Sequence, residues 1–364
     1  MEMSWRDYVR PVTPYVPGEQ PKESKVIKLN TNENPYPPAP GIDVNAFRSE
    51  AAAAEGDGPE LRKYPDPTAH DLVSALAAYH GVEEEQVFVG VGSDDVLGMA
   101  FLTFFNSDKP ILFPDISYSF YPVWADLFKI PFKTVPLTED YRINPSNYML
   151  PEGEVGGVVF PNPNAPTAIL LPLDSVEEMI KANRDSIVIV DEAYIDFAPE
   201  GSSALSLLPK YDNLLVVRTF SKSRSMAGLR IGYAVGSKEV IAAMQAVKYS
   251  YNSYTMNQPS ILWGCASIRD DAYFKATVGK IVDTRERFTK ELSNLGFTVL
   301  PSSANFVFAG HPEVAASDIF AAARAKGIFF RYFAQPRIDN FLRITIGTDE
   351  DMDAVVSFLK DFLK

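Results

Sequence analysis

The sequence predicts an α/β protein with a large domain on a mostly parallel sheet, a smaller α+β domain at the C-terminal end, and an extended N-terminal arm. Three observations support this fold class. The chain has 364 residues, enough for about two domains of roughly 150 residues each. From about residue 60, short apolar segments alternate with segments of helical spacing, as in a sheet covered by helices on both faces. After about residue 270, separated strands and charged helices replace this alternation.

The first region can be followed segment by segment. HDLVSALAAYHG has helical spacing and ends at Gly81, a residue type that commonly terminates helices. The apolar segments that predict buried strands are QVFVGVG, PILFP, GGVVFPNPN, the start of SIVIVDEAYIDF, NLLVVRTF and RIGYAVG. The helical segments between them are SDDVLGMAFLTFF, VWADLFK and SVEEMIKANRD. Ligands of such sheets bind beyond the carboxyl ends of the strands, so polar residues there are the candidates for a site.

The two ends of the chain differ from this pattern. Prolines 11, 14, 17, 21, 35, 37, 38 and 40 predict an extended arm, which lies on its own domain or on a partner subunit. The C-terminal region has a charged helix at TRERFTKELSNLG, strands at FTVLPSSANFVFAG, GIFFRYF and FLRITIG, and a closing helix at DAVVSFLKDFLK. We therefore expect an arm with a small-domain segment over residues 1–44, a large domain over 45–268 and a small domain over 269–364.

The composition limits the classes of function. A net charge of −13 opposes binding to nucleic acid. No segment approaches the roughly 20 apolar residues of a membrane span, and the first residues lack the layout of a signal peptide. Cys265 is the only cysteine and three histidines are scattered, so neither a disulfide nor a zinc pattern is present. We expect a cytoplasmic protein without a metal, although a site built from carboxylates alone stays open.

Two strand ends carry groups that suit an ionic ligand. Asp191 follows the apolar run Ile187 to Val190, and a buried carboxylate is costly unless it is paired. It is either a counter-ion for a cationic ligand or a structural cap or salt bridge. Gly92, Ser93 and Asp94 form a glycine turn into a helix, which either presents N–H groups to an anion or is an ordinary turn.

The segment VVRTFSKSRSMAGLRIGYAVG places Lys222 after a buried strand and Arg230 eight residues later. A desolvated lysine is nucleophilic, and an arginine fork suits a phosphate. Asn162 and Asn164 lie in a proline-rich turn that either offers amide donors or is a plain turn. Taken together, the residues at these strand ends suit one ligand that carries a phosphate, a cationic ring nitrogen, a ring oxygen and an aldehyde. Pyridoxal 5′-phosphate has all four groups.

Seven segments carry a resemblance over nearly the whole chain: LNTNENPYPP, RKYPDP, VGSDDVL, PNPNAPT, VDEAYIDF, TFSKSRSMAGLRIGY and FLRITIGT. In order and spacing they resemble the fold type I pyridoxal-phosphate aminotransferases, and within them the histidinol-phosphate aminotransferases. The resemblance implies a large domain with a seven-stranded type of sheet, a small domain, and a homodimer whose active sites lie at the subunit boundary.

For the cofactor ring, the resemblance implies one role for each matching residue. Lys222 would bind the aldehyde carbon and later act as general base and acid. Asp191 would keep the ring nitrogen protonated, Tyr194 would bond the phenolic oxygen, and Tyr118 would stack on the ring.

For the two phosphate groups, the resemblance implies separate sets of residues. Those for the cofactor phosphate are Ser93, Asp94, Ser221 and Arg230, together with Tyr64 from the partner subunit. Those for the substrate phosphate are Tyr15, Arg331 and Arg343, and Glu33 lies in a segment that lines the pocket.

The sequence also departs from the family pattern. The usual turn is Asn-Asn-Pro-Thr-Gly, but here alanine stands at positions 165 and 168. The asparagine that commonly meets the cofactor oxygen falls at Ala165, so Asn164 is the candidate to replace it. Arg224 and Arg337 match no family residue to which the resemblance assigns a role.

The resemblance implies transamination of L-histidinol phosphate with 2-oxoglutarate, which gives imidazole acetol phosphate and L-glutamate in histidine biosynthesis. Aromatic amino acid aminotransferase and phosphothreonine decarboxylase activities on the same scaffold stay open. The non-enzyme alternative is a pyridoxal-phosphate-binding regulator. Regulators of this type normally carry a DNA-binding extension, which we do not expect beside a net charge of −13.

Overall fold

Strands and helices alternate along most of the chain in a computed structural model, which describes residues 10, 12–17, 19–22, 25–40, 62–151 and 153–364. In chain order its strands are β1 Ile27–Lys28, β2 Val87–Gly90, β3 Ile111–Pro114, β4 Phe132–Val135, β5 Gly157–Pro161, β6 Val188–Asp191, β7 Leu214–Thr219, β8 Gly232–Gly236, β9 Thr298–Val299, β10 Phe306–Gly310, β11 Ile328–Phe329, β12 Arg331–Tyr332 and β13 Leu342–Thr345. Its α-helices are α1 His70–His80, α2 Ser93–Phe104, α3 Tyr121–Phe128, α4 Leu173–Ala182, α5 Lys238–Tyr251, α6 Gln258–Arg269, α7 Asp271–Asn294, α8 Ala316–Ala325 and α9 Asp349–Phe362.

The larger sheet has seven strands in the order β2-β8-β7-β6-β5-β3-β4. All neighbouring strands are parallel except β8, which runs antiparallel to both β2 and β7. The predicted mostly parallel sheet is therefore confirmed. Because β8 runs the other way, its first residues lie at the edge where the other strands end, and residues that precede β8 meet those that follow β6 and β7.

Both faces of this sheet are buried. Val188 of β6 belongs to the same hydrophobic core as Met179 of α4, whereas Ile189 belongs to a second core with Leu97 of α2 on the other face. Alternate strand residues point to opposite faces, so a strand covered on both sides is apolar at every position. The first polar residue, Asp191, marks the point where β6 reaches the edge of the sheet.

The C-terminal region is a smaller α+β unit, as predicted. Four antiparallel strands follow the order β12-β13-β10-β9, and the helices α7, α8 and α9 contribute to the same core. A separate two-stranded sheet joins β1 to β11 in parallel. A segment near the N-terminus therefore belongs with this C-terminal region.

The structure corrects several details of the prediction. GIFFRYF is not one strand, because the chain changes partners at Phe330: β11 pairs with β1, and β12 pairs with β13. The sequence pattern did not predict helices α5, α6 and α8 or strand β4. The edge strand β4 exposes Lys133 and Thr134, so its sequence has no continuous apolar run.

The described part of the arm lies on its own chain. Tyr15 stacks on Phe120 with ring centres 4.4 Å apart, and Glu19 pairs with Arg324 of α8 at 2.6 Å. The expected boundary between residues 44 and 45 falls outside the described residues, so the domain bounds stay a prediction. In the described ranges, no helix combines the length and apolar character needed to cross a bilayer.

Candidate active site

The edge where the parallel strands end opens into a cavity of about 370 Å³. The arm, the seven-stranded sheet and the C-terminal strands all contribute to its wall. The predicted site residues that line it are Tyr15, Glu33, Ser93, Asp94, Tyr118, Asp191, Tyr194, Ser221, Lys222, Arg230, Arg331 and Arg343. Two others, Asn164 and Tyr64, do not line it.

Lys222 lies in the loop that follows β7. Its Nζ donates to the backbone carbonyl of Thr31 at 3.0 Å and lies 5.9 Å from the ring centre of Tyr194. Burial, with the positive Arg343 nearby, lowers the pKa of Lys222 to about 8. A larger fraction of this amine than of an ordinary lysine is therefore neutral, and so nucleophilic, at neutral pH.

A network of charged groups anchors the loop that contains Lys222. Ser223, next to Lys222, donates its hydroxyl to Asp196. Arg218 of β7 pairs with Asp196 at 3.3 Å and with the buried Glu192 at 2.9 Å. These bonds fix the lysine loop to the segment that follows β6.

Asp191 is the last residue of β6 and is only 4% exposed. It accepts hydrogen bonds from the hydroxyl of Tyr121 at 3.0 Å and from the backbone N–H of Ala193 at 3.2 Å. Burial outweighs these hydrogen bonds and raises the pKa of Asp191 to about 7, and the nearby Asp94 and Glu192 add to the rise. Among the described residues it has no ion-pair partner. Its ionised form is therefore best stabilised by a cationic ligand atom.

An anion-binding cradle lies at the start of α2. The helix begins at Ser93, and its first backbone N–H groups have no partner within the helix. A Cβ at Gly92 would collide with the guanidinium of Arg230, and one at Gly232 would collide with the backbone of Gly92 and Ser93. Arg230 Nη1 lies 3.5 Å from the hydroxyl of Ser221. The two glycines thus allow a helix start and a guanidinium to share one small space.

Tyr118 forms the wall next to this cradle. Its hydroxyl donates to Asp94 at 2.7 Å, and Asp94 lies 3.8 Å from Arg230. The bond fixes the Tyr118 ring at a position from which it can stack on a planar ligand.

The opposite side of the cavity carries two arginines. Arg331 and Arg343 are direct cross-strand partners in β12 and β13. Arg343 Nη2 donates to the carbonyl of Asn30 at 3.0 Å, but its buried Nε has no partner among the described residues. Burial lowers the pKa of Arg343, and the positive Arg331 contributes. Two guanidinium groups in this arrangement suit an anion such as a phosphate.

Comparison with known proteins agrees with this geometry. The profile of the family described as aminotransferase class I and II matches residues 24–359. The chain belongs to this aminotransferase family. A histidinol-phosphate aminotransferase 1 from Hydrogenovibrio crunogenus is 51% identical over 364 residues, which cover 100% of this chain and 99% of the relative. A histidinol-phosphate aminotransferase from Aromatoleum aromaticum is 50% identical and is covered over its full length, as is this chain.

A solved structure shows the same aminotransferase fold. The histidinol-phosphate aminotransferase from Sinorhizobium meliloti, crystallised in complex with pyridoxal-5′-phosphate, superimposes with a TM-score of 0.82 at 27% sequence identity. The match covers 93% of this chain and 90% of that one.

In this aminotransferase, the structure corrects the prediction for Asn164. Its amide nitrogen donates to the carbonyl of Ile116 at 3.1 Å and lies 3.0 Å from the hydroxyl of Thr167. The side chain therefore holds the turn together, and Asn164 is not among the residues that line the cavity. Ala165 occupies the cavity wall instead and offers no hydrogen-bond donor in its side chain.

Tyr64 lies on the surface, 81% exposed, with its ring stacked on Tyr254 at 4.6 Å. The segment after it is anchored by the buried Lys248, whose Nζ donates to the carbonyl of Pro67 at 2.9 Å. Tyr64 does not contribute to the cavity of its own chain, so the predicted contact with a partner's cofactor stays a prediction.

Arg224 and Arg337, which the sequence left without a role, have structural partners. Arg224 is buried, donates to the carbonyl of Ser267 at 2.7 Å and lies over the ring of Phe274 at 4.1 Å. Arg337 pairs with Asp115 at 3.1 Å outside the cavity.

Two neighbours in the LNTNENPYPP segment contribute differently. Glu33 lines the cavity, pairs with Lys28 and accepts from the hydroxyl of Thr31 at 2.8 Å. Burial alone would raise its pKa, but these partners lower the pKa below the ordinary value. Sequence reasoning missed Asn32, whose amide donates to the hydroxyl of Tyr194 at 3.0 Å. The segment has three asparagines, and nothing in their spacing singles this one out.

Proposed function

We propose that the protein is a pyridoxal-phosphate-dependent aminotransferase that transfers the amino group of L-histidinol phosphate to 2-oxoglutarate in histidine biosynthesis. The products are imidazole acetol phosphate and L-glutamate. The observation that carries the choice of substrate is the arginine pair: Arg331 and Arg343 line one cavity, and Arg343 Nε is buried without a partner. A phosphate dianion has enough oxygens for both side chains. Relatives that are about 50% identical over the full length are named histidinol-phosphate aminotransferase.

The residues of the cavity fit pyridoxal phosphate. The cradle at Ser93 and Arg230 suits its phosphate, and the buried carboxylate of Asp191 suits its protonated ring nitrogen. Tyr194 offers a hydroxyl for the ring oxygen, and Lys222 offers an amine with a lowered pKa for the aldehyde. These residues would hold the cofactor.

The chemistry divides between cofactor and chain. When bound, pyridoxal phosphate supplies a ring that accepts the electron pair released at the substrate's Cα. Asp191 holds the proton on the ring nitrogen and so keeps the ring cationic. Lys222 Nζ would remove the proton from Cα and, as the resulting acid, deliver the same proton to C4′ of the cofactor. Arg331 and Arg343 hold the substrate's phosphate, which places Cα within reach of the lysine.

Replacing Asp191 by asparagine should leave the fold intact but slow removal of the Cα proton by on the order of 10²–10³-fold. The amide keeps the shape and can still bond Tyr121, but it cannot balance a positive ring nitrogen. Single-turnover kinetics with histidinol phosphate measure this step. Unchanged kinetics would return Asp191 to the purely structural role of a turn cap.

A screen of amines with 2-oxoglutarate tests the substrate. We expect glutamate to form fastest with histidinol phosphate. A preference for phenylalanine would establish the aromatic alternative, and release of carbon dioxide from phosphothreonine would establish the decarboxylase. The L-threonine-O-3-phosphate decarboxylase from Porphyromonas gingivalis, at 19% identity and a TM-score of 0.76, shares the fold alone. Cofactor binding without turnover of any amine would favour the regulator.

The active enzyme is proposed to be a homodimer in which Tyr64 completes the partner's cofactor site. The exposure of Tyr64 and its anchored segment support this assembly. The other proposed partners are the small amine and 2-oxo acid substrates, with neither nucleic acid nor membrane. The cytoplasm is the proposed location, since it suits a single cysteine and a biosynthetic step.

Co-expression of two inactive or weakened chains tests the sharing of Tyr64. One chain carries Tyr64→Phe and the other Lys222→Ala, with different affinity tags. A mixed dimer then has one site with both native residues, so its activity should exceed that of either parent, at roughly half the wild-type value per dimer. Purification through both tags and a glutamate assay give the measurement. Activity no higher than that of the Tyr64→Phe parent would contradict a shared site.

A further inference from the structure

Tyr194 has a hydroxyl in the cavity wall that can donate to a cofactor ring oxygen. The usual second donor is absent, because position 165 is alanine and the amide of Asn164 is bonded to the turn. Burial raises the pKa of Tyr194, so its hydroxyl keeps its proton at neutral pH. The orientation of this single hydroxyl therefore matters more here than in a site with two donors.

Asn32 is hydrogen-bonded to that hydroxyl. It is 1% exposed and adopts a left-handed backbone conformation with φ of 55°. Its backbone N–H donates to Thr345 Oγ1 at 3.0 Å, and the Thr345 hydroxyl donates back to Asn32 Oδ1 at 3.0 Å. Its carbonyl accepts from the amide of Asn305 at 3.0 Å. Both ends of the residue are thus held by the C-terminal sheet region.

These bonds form one consistent pattern of donors and acceptors. The Asn32 oxygen accepts from Thr345, and its NH₂ group faces Tyr194 and donates to the hydroxyl oxygen at 3.0 Å. The Tyr194 oxygen is then an acceptor on that side. The proton of the Tyr194 hydroxyl is then available for another acceptor, and Tyr194 lines the cavity.

We propose that Asn32 is a positioning residue that fixes the Tyr194 hydroxyl as a donor to the cofactor's ring oxygen, in a site that lacks the asparagine amide at position 165. Asn32, which also lines the cavity, acts here through its hydrogen bond to Tyr194. The inference rests on the proposed function, since it requires pyridoxal phosphate in the cavity.

The absorption spectrum of the bound cofactor can be used to follow the hydrogen bond from Tyr194 to the cofactor's ring oxygen. When the Lys222 nitrogen that joins the cofactor loses its proton, the cofactor's ring oxygen bears a full negative charge. A hydrogen-bond donor to that oxygen stabilises this deprotonated state. A weaker donor therefore raises the pKa of that nitrogen. The charged groups that face Tyr194 are Arg343, Asp191 and Lys222, and none of the test variants changes them.

The experiment is a spectrophotometric pH titration of the purified holoenzymes. Asn32→Ala should raise the pKa of the cofactor-linked nitrogen by on the order of one unit, toward the value of Tyr194→Phe. Thr345→Val, which keeps the shape but frees the Asn32 amide, should give a smaller rise in the same direction. Ala165→Asn restores the usual donor, so it should lower the pKa and reverse most of the rise when combined with Asn32→Ala.

Asn213→Ala is the matched control. Asn213 is a buried asparagine whose amide donates to three backbone carbonyls outside the cavity. Its loss should lower the melting temperature without moving the titration. If Tyr194→Phe shifts the pKa but neither Asn32→Ala nor Thr345→Val does, the role of Asn32 is overturned while the proposed function stands. A wild type that binds no cofactor would overturn both.

Discussion

Replacement of Lys222 by alanine is expected to abolish multiple-turnover transamination, with kcat reduced by more than about 10⁴-fold. In the proposed mechanism this one amine both attaches the cofactor and moves the Cα proton. No other lysine lines the cavity in the described residues, so no neighbour can take over. Glutamate formation from 2-oxoglutarate measures the loss, and absorbance of the bound cofactor shows whether the site still fills.

Two observations on the wild type make this assignment specific to Lys222. Borohydride reduction should fix cofactor mass to the peptide that contains Lys222, whereas the peptide of the buried Lys248 should remain unlabelled. Only the neutral amine attacks an aldehyde, so uptake of cofactor by the apoprotein should accelerate as the pH rises through about 8, the lowered pKa of Lys222. Label on another lysine, or uptake that slows with rising pH, would contradict the assignment.

The second large effect concerns the substrate's phosphate. Histidinol phosphate is expected to exceed histidinol in kcat/KM by up to about 10⁴-fold, because the unphosphorylated amine leaves two guanidinium groups without their anion. Each charge-assisted hydrogen bond contributes roughly 1.5–3 kcal/mol. The buried, unpartnered Nε of Arg343 shows that the chain itself does not fully satisfy this pair.

Arg331→Ala should remove most of this preference while sparing cofactor binding. The matched control is Arg337→Ala, since Arg337 is a nearby arginine held by Asp115 outside the cavity and should leave the preference unchanged. Steady-state kinetics with both amines give the ratio for each variant. Equal rates of the wild type with histidinol and histidinol phosphate would exclude a phosphate site at this arginine pair.

The residues at the strand ends could be predicted because their signal is local. A run such as IVIV must be apolar at every position when both faces of the sheet are covered, so the first carboxylate after it, Asp191, marks the edge of the sheet. The same logic places Lys222 after β7 and Ser93 after β2. The resemblance assigned Arg331 and Arg343 to one phosphate, and the strand register places them side by side.

The remaining features depend on contacts between distant segments. Asn164 and Ala165 are adjacent, and only the packing of the turn on Ile116 decides which of them faces the cavity. Asn32 is recognised only through Thr345, 313 residues away. The change of strand pairing at Phe330 likewise can be predicted only when β1 is known to pair with β11. No local pattern encodes such choices.

The reversed direction of β8 bears on the order in which the site forms. β7 and β8 are consecutive antiparallel neighbours, so the loop with Lys222 and Arg230 closes over a short stretch of chain. The arginine pair instead depends on a bond from Arg343 to Asn30, a separation of 313 residues. Local contacts lose little chain entropy and form early, whereas distant ones form late. A nascent chain can therefore build the proposed anchor for the cofactor before the proposed site for the substrate's phosphate exists.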